Sequence, residues 1–525
     1  MFLLHHYFES TASRLPDKAA LVCADRRWTY GELLAESRRL ACGLKALGVS
    51  RQDRVVVFMD NEAEAVISMI GILMAGGVFV ILNGTMKSDK LAYILGDSGA
   101  RVLIASTGKA RVVQDALDAL REKPAVLWKG EASRIPAPLA ALSCGWDEAL
   151  ARVSDPRGPE SPCIDQDLAA LIYTSGSTGE PKGVMSPHFS MISAARSIIR
   201  YLENRETDVI LDVLPLSFDY GLYQVIMSLM FGGTVVLEKS FVYIHPILKR
   251  IEEEGVTGFP VVPSILAMIL GRQDLSHYGL DSLRYMTNTG AALPVEHIRR
   301  IGSLLPHVKL YSMFGLTECK RVCYLPPDEL SRRPGSVGRA IPNSEVWIEG
   351  QDGRALGPGE EGELVVRGAN VMRGYWNAPE LTAKVFRPGR HPGERVLYTG
   401  DRFRADAEGY LYFMGRRDDM IKCRGERVSP REVENVLHAL PGVREAAVIG
   451  VPDEIEGQSI QAFVVSDNGN PLDEKAIRKH CAARLEPFCV PRHVLIVDAL
   501  PRSANGKIDR KMLLSHILNP TNSNW

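Results

Sequence analysis

The sequence predicts an α/β protein with a large N-terminal domain of βα-built sheets layered with helices and a small α+β C-terminal domain. The chain has 525 residues, too many for one ordinary hydrophobic core. Its first part alternates helical and strand patterns, and near residue 415 this changes to short strands around a charged turn. We therefore predict one domain over residues 1–415 and a second over residues 416–525.

The N-terminal part alternates elements in the way that parallel sheets require. "TYGELLAESRRLACGLKALGV" has leucines at helical spacing, and "DRVVVFMD" is typical of a buried strand. "AEAVISMIGILMAGG" predicts a second helix that ends in glycine, and "VFVIL" predicts another strand. This order favours parallel strands covered by helices. Two poorly patterned stretches, "KGEASRIPAPLAALSCG" and "SDPRGPESPCIDQD", are predicted surface connections.

The C-terminal part predicts a compact domain of ordinary size. "GYLYFMGRRDDMIKCRGERV" reads as a strand, a charged turn and a second strand. "SPRE" at 429–432 predicts a capping box that opens a helix, and the Pro-Gly pair at 441–442 ends it. "EAAVIGVPD", "IQAFVVSD" and "HVLIVDAL" predict strands, with a helix over "DEKAIRKHCAARL".

Composition argues against several classes of protein. The net charge is -1, so nothing indicates binding to nucleic acid or to an anionic membrane. The start carries no basic leader, and the apolar stretch "AVISMIGILMAGGVFVIL" is interrupted by paired glycines, so we predict neither a signal peptide nor a membrane span. The nine cysteines form no metal-ligand pattern and are expected to be reduced thiols of a cytoplasmic protein.

The stretch "LIYTSGSTGEPKGVMSPH" predicts a binding loop for a polyphosphate. Glycines let backbone N–H groups approach an anion, hydroxyls donate to it, and Lys182 adds a point charge. The spacing differs from the common Gly-x-x-x-x-Gly-Lys-Ser/Thr loop. Taken alone, the stretch is also compatible with a flexible surface loop.

Four further stretches follow in order: "YSMFGLTE" (311–318), "LYTGDRFRADAEGYLYFMGRRDD" (397–419), "IKCRGERVSPREVE" (421–434) and "PRSANGKIDRK" (501–511). Together with "YTSGSTGEPKG" they resemble the adenylate-forming superfamily, which includes acyl-CoA synthetases, adenylation domains of nonribosomal peptide synthetases, and luciferase. The resemblance extends from "WTYGELLAE" to "GKIDRK". It implies ATP-dependent activation of a carboxylic acid to an acyl adenylate with release of pyrophosphate, followed by transfer to a thiol.

The resemblance also implies roles for individual residues. The expected ATP-binding residues are Thr174, Ser175, Gly176, Ser177, Thr178, Gly179 and Lys182 at the phosphates, Phe314 against adenine, and Asp401 and Arg416 near the ribose. Thr317 is expected to contact the α-phosphate. Glu318 is expected to hold Mg²⁺, a hard cation that a single carboxylate and phosphate oxygens commonly bind.

Two lysines are expected to serve different half-reactions. Lys507 resembles the lysine that bridges the carboxylate and the α-phosphate, whereas Lys422 resembles one on the opposite face of the small domain, in the thioester-forming arrangement. The resemblance makes Asp418 the hinge and places Gly425 at the thiol tunnel. It therefore implies a mobile small domain that rotates between adenylation and thioester formation.

The acyl pocket is expected to involve "LPLSFDYGLYQVIMSLMFGG" (214–233). Phe218 and Asp219 resemble the pair in amino-acid-activating domains, in which the Asp neutralises the substrate α-ammonium. The alternative is that Asp219 merely caps the following helix. The expected pocket also includes Tyr223, Met313 and Arg321.

Lys320 and Arg321 depart from the family pattern, so their role is left open. They are compatible with binding a second acid group of the substrate or the anionic arm of the thiol partner. We expect instead that they pair with nearby acids or face solvent, as most surface charges do.

The main functional hypothesis is a free-standing ligase that activates a small carboxylate, favoured to be an amino acid, and loads it onto the phosphopantetheine of a separate carrier protein. The alternative enzyme is an acyl-CoA synthetase that joins a non-amino acid to CoA. An inactive nucleotide-binding protein on the same fold is a third hypothesis. The presence of Lys182, Glu318, Asp401, Lys422 and Lys507 argues against it.

Overall fold

A computed structural model describes residues 1–152, 157–175, 180–272, 275–290, 293–416, 421–423, 426–453, 457–467, 472–485, 487, 489–503 and 506–518. The helices of the described residues are α1 Leu4–Arg14, α2 Tyr30–Ala46, α3 Ala63–Met74, α4 Ser88–Ser98, α5 Ala110–Asp118, α6 Trp146–Ala151, α7 His188–Leu202, α8 Asp219–Phe231, α9 Ile244–Glu254, α10 Pro263–Leu270, α11 Val295–Leu304, α12 Pro379–Val385, α13 Pro430–His438, α14 Glu474–Ala482 and α15 Arg510–Leu518.

The strands begin and end as follows: β1 Ala19–Cys23, β2 Arg26–Thr29, β3 Arg54–Met59, β4 Val78–Asn83, β5 Ala100–Ser106, β6 Ala125–Lys129, β7 Ser143–Gly145, β8 Leu168–Ser175, β9 Pro181–Pro187, β10 Val209–Asp212, β11 Thr234–Leu237, β12 Gly258–Val261, β13 Tyr285–Asn288, β14 Lys309–Phe314, β15 Cys323–Leu325, β16 Arg339–Ala340, β17 Ser344–Glu349, β18 Glu361–Gly368, β19 Gly374–Tyr375, β20 Phe386–Pro388, β21 Arg395–Ala405, β22 Leu411–Arg416, β23 Ile421–Cys423, β24 Glu426–Val428, β25 Val443–Asp453, β26 Gly457–Ser466 and β27 His493–Ile496.

Two large sheets with parallel centres form most of the N-terminal domain. One has the strand order β16-β15-β14-β13-β12-β10-β11-β1-β2, and the other β19-β9-β8-β4-β3-β5-β6-β7. Strands β10 to β14 are parallel to their neighbours, except for the β14–β15 pair. The structure confirms α2, β3, α3 and β4, which the sequence patterns predict. Strands β3 and β4 are buried because helices cover the sheet.

Two smaller sheets complete the chain. The order β17-β18-β21-β20, with β22 beside β21, forms the third sheet, and β24-β23-β26-β25, with β27 beside β26, forms the fourth. Side chains after residue 420 form their own apolar clusters around Val433 and Phe463, apart from the clusters of the earlier residues. The protein therefore has a large N-terminal α/β domain and a smaller C-terminal domain.

One local prediction is wrong, and another is incomplete. Ser429 is the N-cap of α13, but its hydroxyl donates to the carbonyl of Met414 on β22, so it forms no capping box. The stretch 129–145 is mostly exposed, as predicted for a surface connection, but it also contains the buried Leu139 and ends in β7, which extends a parallel sheet. In both cases a strand that precedes the stretch supplies a partner that the local pattern does not indicate.

Other features of the chain can be compared with the sequence patterns. Seven of the nine cysteines are buried, and within the described part of the chain none forms a disulfide. Helix α13 begins with Pro430 at its first position and buries Val433 and Leu437, as its periodicity predicts. Among the residues that the structure describes, no helix is long and apolar enough to cross a membrane.

Candidate active site

The carboxyl ends of the parallel strands meet at one large cavity. Strands β10, β12, β13 and β14 each end at this edge of their sheet, which is where open α/β sheets bind ligands. The cavity has a volume of about 810 Å³, and residues of the C-terminal domain close its other side. Most of the residues singled out in the sequence line it, although they come from segments more than 300 residues apart.

The predicted phosphate loop is the tip of the β8–β9 hairpin. In this antiparallel pair, Thr174 lies directly opposite Lys182 and Ser175 opposite Pro181. Thr174 and Lys182 both line the cavity, so a hydroxyl and an ammonium flank the tip of the hairpin. Gly176, Ser177, Thr178 and Gly179 lie outside the described residues, as does the side chain of Ser175.

The segment 315–322 turns between β14 and β15 and carries Thr317 and Glu318 into the cavity wall. The hydroxyl of Tyr375 donates to Oε1 of Glu318 at 2.6 Å, which fixes the orientation of the carboxylate. Tyr375 was not anticipated from the sequence, because it follows Glu318 by 57 residues on β19.

Three residues of the predicted nucleoside site come together beside this turn. Asp401 on β21 is buried and lies opposite Arg416 on β22, so the two predicted ribose residues are neighbours on paired strands. The ring of Phe314 packs edge-on against Phe403, with centroids 4.9 Å apart, and also against Phe413 at 5.9 Å. Phe314 and Asp401 line the cavity, whereas the side chain of Arg416 lies outside the described residues.

Lys507 reaches into the cavity from the C-terminal domain. Its Nζ lies 5.2 Å from the centre of the Phe218 ring, and a Cβ placed on Gly290 would lie only 3.1 Å from its Cε. The hydroxyl of Ser264 on α10 donates to the carbonyl of Gly506, which fastens the Lys507 segment to the N-terminal domain. The domains are thus closed with Lys507 at the cavity.

The alternative role of Asp219 as a helix cap is wrong. The N-cap of α8 is Phe218, and Asp219 is the first helical residue. Its half-buried carboxylate lines the cavity and accepts no hydrogen bond from any residue in the described part of the chain. The neighbouring Tyr223 and Met313 are buried and also line the cavity, as predicted for the acyl pocket.

The expectation that Lys320 and Arg321 face solvent or pair with acids is wrong. Both side chains line the cavity and are only 4% exposed. The Nζ of Lys320 is buried without a hydrogen-bond partner, and so is the Nε of Arg321. Burial lowers the pKa of Lys320 from its usual value, while the charges of Asp219 and Glu318 partly oppose this change. Arg321 belongs to the pocket as predicted, and Lys320 is an addition that its position beside Glu318 could have suggested.

The residues expected to serve the second half-reaction are not tested by the structure. Lys422 lies on β23, where its backbone pairs with Arg427 of β24. Its side chain lies outside the described residues, and so do Asp418 and Gly425. Their assignments as thioester-forming lysine, hinge and thiol-tunnel residue stay predictions.

Comparison with known proteins agrees with this site. Residues 8–376 match the family model described as AMP-binding enzyme, and residues 432–507 match that of the AMP-binding enzyme C-terminal domain. The chain is 31% identical to the long-chain-fatty-acid–CoA ligase of Bacillus subtilis, over 97% of this chain and 94% of that protein. It is also 31% identical to tyrocidine synthase 3 of Brevibacillus parabrevis, over 97% of this chain but only 8% of that much longer protein.

A solved structure agrees with the fold across both domains. The anthranilate CoA ligase AuaEII, crystallised with anthranoyl-AMP, superposes with a TM-score of 0.88 and 27% identity, covering 98% of this chain and 97% of that one. The chain therefore belongs to the adenylate-forming superfamily of AMP-binding enzymes. It is an AMP-forming ligase that activates a carboxylic acid as its adenylate.

Proposed function

We propose that the enzyme activates an amino acid and transfers it to the phosphopantetheine thiol of a separate carrier protein, in a cytoplasmic setting. The observation that carries the amino acid assignment is the carboxylate of Asp219, which lines the cavity beside Phe218 and caps no helix. A half-buried anion without a hydrogen bond from a described residue suits a cationic ligand, and an α-ammonium group provides one.

In the first half-reaction, an oxygen of the substrate carboxylate attacks the α-phosphorus of ATP. A phosphoanhydride bond breaks, pyrophosphate leaves, and the acyl adenylate forms. In this proposal Lys507 neutralises the oxygens of the carboxylate and the α-phosphate, while Lys182 and Thr174 hold the leaving phosphates. Asp401 and Phe314 orient the nucleoside.

Glu318 is the residue that would hold Mg²⁺. Its orientation by Tyr375 fits a metal ligand, since ligating carboxylates are commonly held by a second hydrogen bond. Within the described residues Glu318 belongs to no cluster of three or more metal-binding side chains. A single carboxylate supplemented by phosphate oxygens and water suits Mg²⁺, which when bound would neutralise charge on the phosphates of ATP.

In the second half-reaction, the thiol attacks the acyl carbonyl and AMP leaves. For this step, the proposed rotation of the C-terminal domain would bring the face of Lys422 toward the cavity, whichever thiol is the acceptor. A second candidate for the acceptor is CoA. The long-chain-fatty-acid–CoA ligase of Bacillus subtilis, which the chain matches over 94% of that protein's length, is named a CoA ligase. CoA and a carrier protein present the same phosphopantetheine arm, so a direct comparison of the two acceptors distinguishes the two candidates.

The decisive measurement is ATP–pyrophosphate exchange with Asp219→Ala, using the preferred acid and its desamino analogue. Loss of one partner of a buried charge pair costs about 3–5 kcal/mol, so kcat/KM for the amino acid should fall more than about a hundredfold. The desamino analogue should be affected little. Asp147→Ala, an exposed acid in the first turn of α6 outside the cavity, is the matched control.

A wild-type enzyme that prefers acids without an amine would overturn the amino acid assignment. The acceptor is tested separately by offering the acyl adenylate CoA, free pantetheine or a phosphopantetheinylated carrier protein. Thioester formation with the carrier protein at a higher kcat/KM than with CoA is the expected result. Turnover with CoA alone would establish the second candidate instead.

A further inference from the structure

The wall of the acyl pocket contains two cations whose burial needs an explanation. Lys320 and Arg321 lie in the turn between β14 and β15, immediately after Glu318, and face the first turns of α8. The Nζ of Lys320 lies 5.9 Å from the centre of the Tyr223 ring, and the guanidinium of Arg321 lies 5.2 Å from that of Tyr220. Both rings belong to α8, so the cations lie between the turn and the helix that bears Asp219.

The backbone of this turn is adapted to bring the two side chains inward. Lys320 has φ = 63°, in the left-handed region that few residues with a Cβ adopt. Its N–H donates to the carbonyl of Leu316 at 2.7 Å, and the N–H of Val322 donates to that of Phe314 at 2.9 Å. Such strain persists only where the surroundings impose it, and it is frequent at ligand sites.

Two cations face two acids at this wall, but the ammonium of Lys320 is paired with neither acid. The acids that act on its ammonium are Asp219 and Glu318, and neither forms an ion pair or hydrogen bond with its buried Nζ. In the proposed function, Asp219 receives the substrate ammonium and Glu318 receives Mg²⁺. Lys320 and Arg321 then hold two positive charges at positions that are only 4% exposed, where an ion without a counter-ion is costly.

We propose that Lys320 and Arg321 form a second subsite that receives an anionic group of the substrate. The substrate is then an acid with a second acidic group, and with the ammonium at Asp219 it is an acidic amino acid. This inference deepens the proposed function and rests on it. A neutral side chain would leave both cations without a counter-ion, whereas a carboxylate would accept hydrogen bonds from both.

The test is pyrophosphate exchange with two sets of four acids that vary one group at a time. One set is glutamate, glutamine, glutarate and glutaramate, and the other is aspartate, asparagine, succinate and succinamate. Each acid should have a kcat/KM at least about a hundredfold above that of its amide, as expected for a buried charge pair. The effect of the amine is measured separately, by comparing kcat/KM for glutamate with that for glutarate, and kcat/KM for aspartate with that for succinate.

The two proposals therefore fail in different ways. Equal use of acid and amide overturns the second subsite even if the amine is required. A requirement for the second acid without any preference for the amine overturns the proposed amino acid and retains the subsite. If the enzyme uses none of these eight acids, pyrophosphate exchange is measured with a wider range of carboxylic acids. The subsite is overturned if only acids with neutral side chains are accepted, or if no acid is accepted.

Variants of the cations provide an independent readout. Lys320→Met and Arg321→Met should each lower the acid-to-amide ratio of kcat/KM from about a hundredfold toward one, and Lys320→Arg should keep most of the preference. Lys249→Met, at an exposed position on α9 outside the cavity, is the matched control and should behave as wild type. A Lys320→Met enzyme that retains the wild-type acid-to-amide ratio would refute the assignment, and its thermal unfolding curve verifies that it is folded.

Discussion

Acidification should open the interface between the two domains through a pair of histidines. His297 on α11 and His438 on α13 meet there with ring centroids 4.9 Å apart, and they are only 3% and 8% exposed. Burial lowers the pKa of His297 to about 4, an effect that Arg300 increases and a hydrogen bond to the Arg444 backbone opposes. Burial also lowers the pKa of His438 to about 3, with a contribution from His297.

The sign and size of the effect follow from these values. Both rings are neutral in the closed interface, whereas rings exposed by opening would titrate near the ordinary value of about 6.5. The closed state therefore keeps its full stability above pH ~6.5 and loses it as the pH falls toward ~4. At pH ~5.5 each ring would cost about 1.4 kcal/mol, so the pair would lower the closed-to-open ratio about a hundredfold.

The assay is pyrophosphate exchange by the wild type and the double variant His297→Asn, His438→Asn, because Lys507, the proposed adenylation lysine, lines the cavity when the domains are closed. Asparagine retains a hydrogen-bond donor but does not titrate. With activities normalised at pH ~7.5, the wild type should fall up to about a hundredfold further than the variant at pH ~5.5. Parallel pH profiles for the two enzymes would refute the reasoning, since all other titrating groups are shared.

Variants of three lysines test the site directly. Lys507→Ala should lower adenylate formation by more than about a hundredfold and spare thioester formation from supplied acyl adenylate; equal losses in both half-reactions would contradict its role. Lys422→Ala should do the reverse, with pyrophosphate exchange retained, and normal thioester transfer would rule out this assignment. Lys320→Met should raise the free energy of unfolding by about 1–3 kcal/mol in denaturant titrations, because it removes a buried ammonium without a partner. A lower stability would indicate that Lys320 is structurally paired.

Motifs with a fixed spacing could be interpreted from the sequence because their residues are brought together by local structure. Thr174 and Lys182 are opposed across a hairpin whose two strands are adjacent in the chain. Asp401 and Arg416 are likewise opposed across one antiparallel pair. Apolar periodicity is also local, and it correctly predicted α2 and α3 because each helix buries one or more faces within the larger core.

The choice of partner for a polar side chain could not be predicted in this way. The hydroxyl of Ser429 is in reach of its own helix, yet it binds Met414 because β22 packs beside α13. Asp219 could equally have been a cap until the start of α8 was known. A local pattern gives the possible partners of a polar side chain, whereas tertiary packing decides which partner is near.

The amino-acid sequence by itself thus determined the βα architecture, the family motifs and the chemistry of acid activation. Only the tertiary structure decided that Lys320 and Arg321 are buried, since charged side chains are exposed in most proteins and no periodicity marks these two. Their burial depends on a left-handed turn after β14 and on α8, which lies about a hundred residues earlier in the chain. The exposure of a side chain and the charges around it depend on every segment that packs near it. They are therefore set only when segments that are distant in the chain come together.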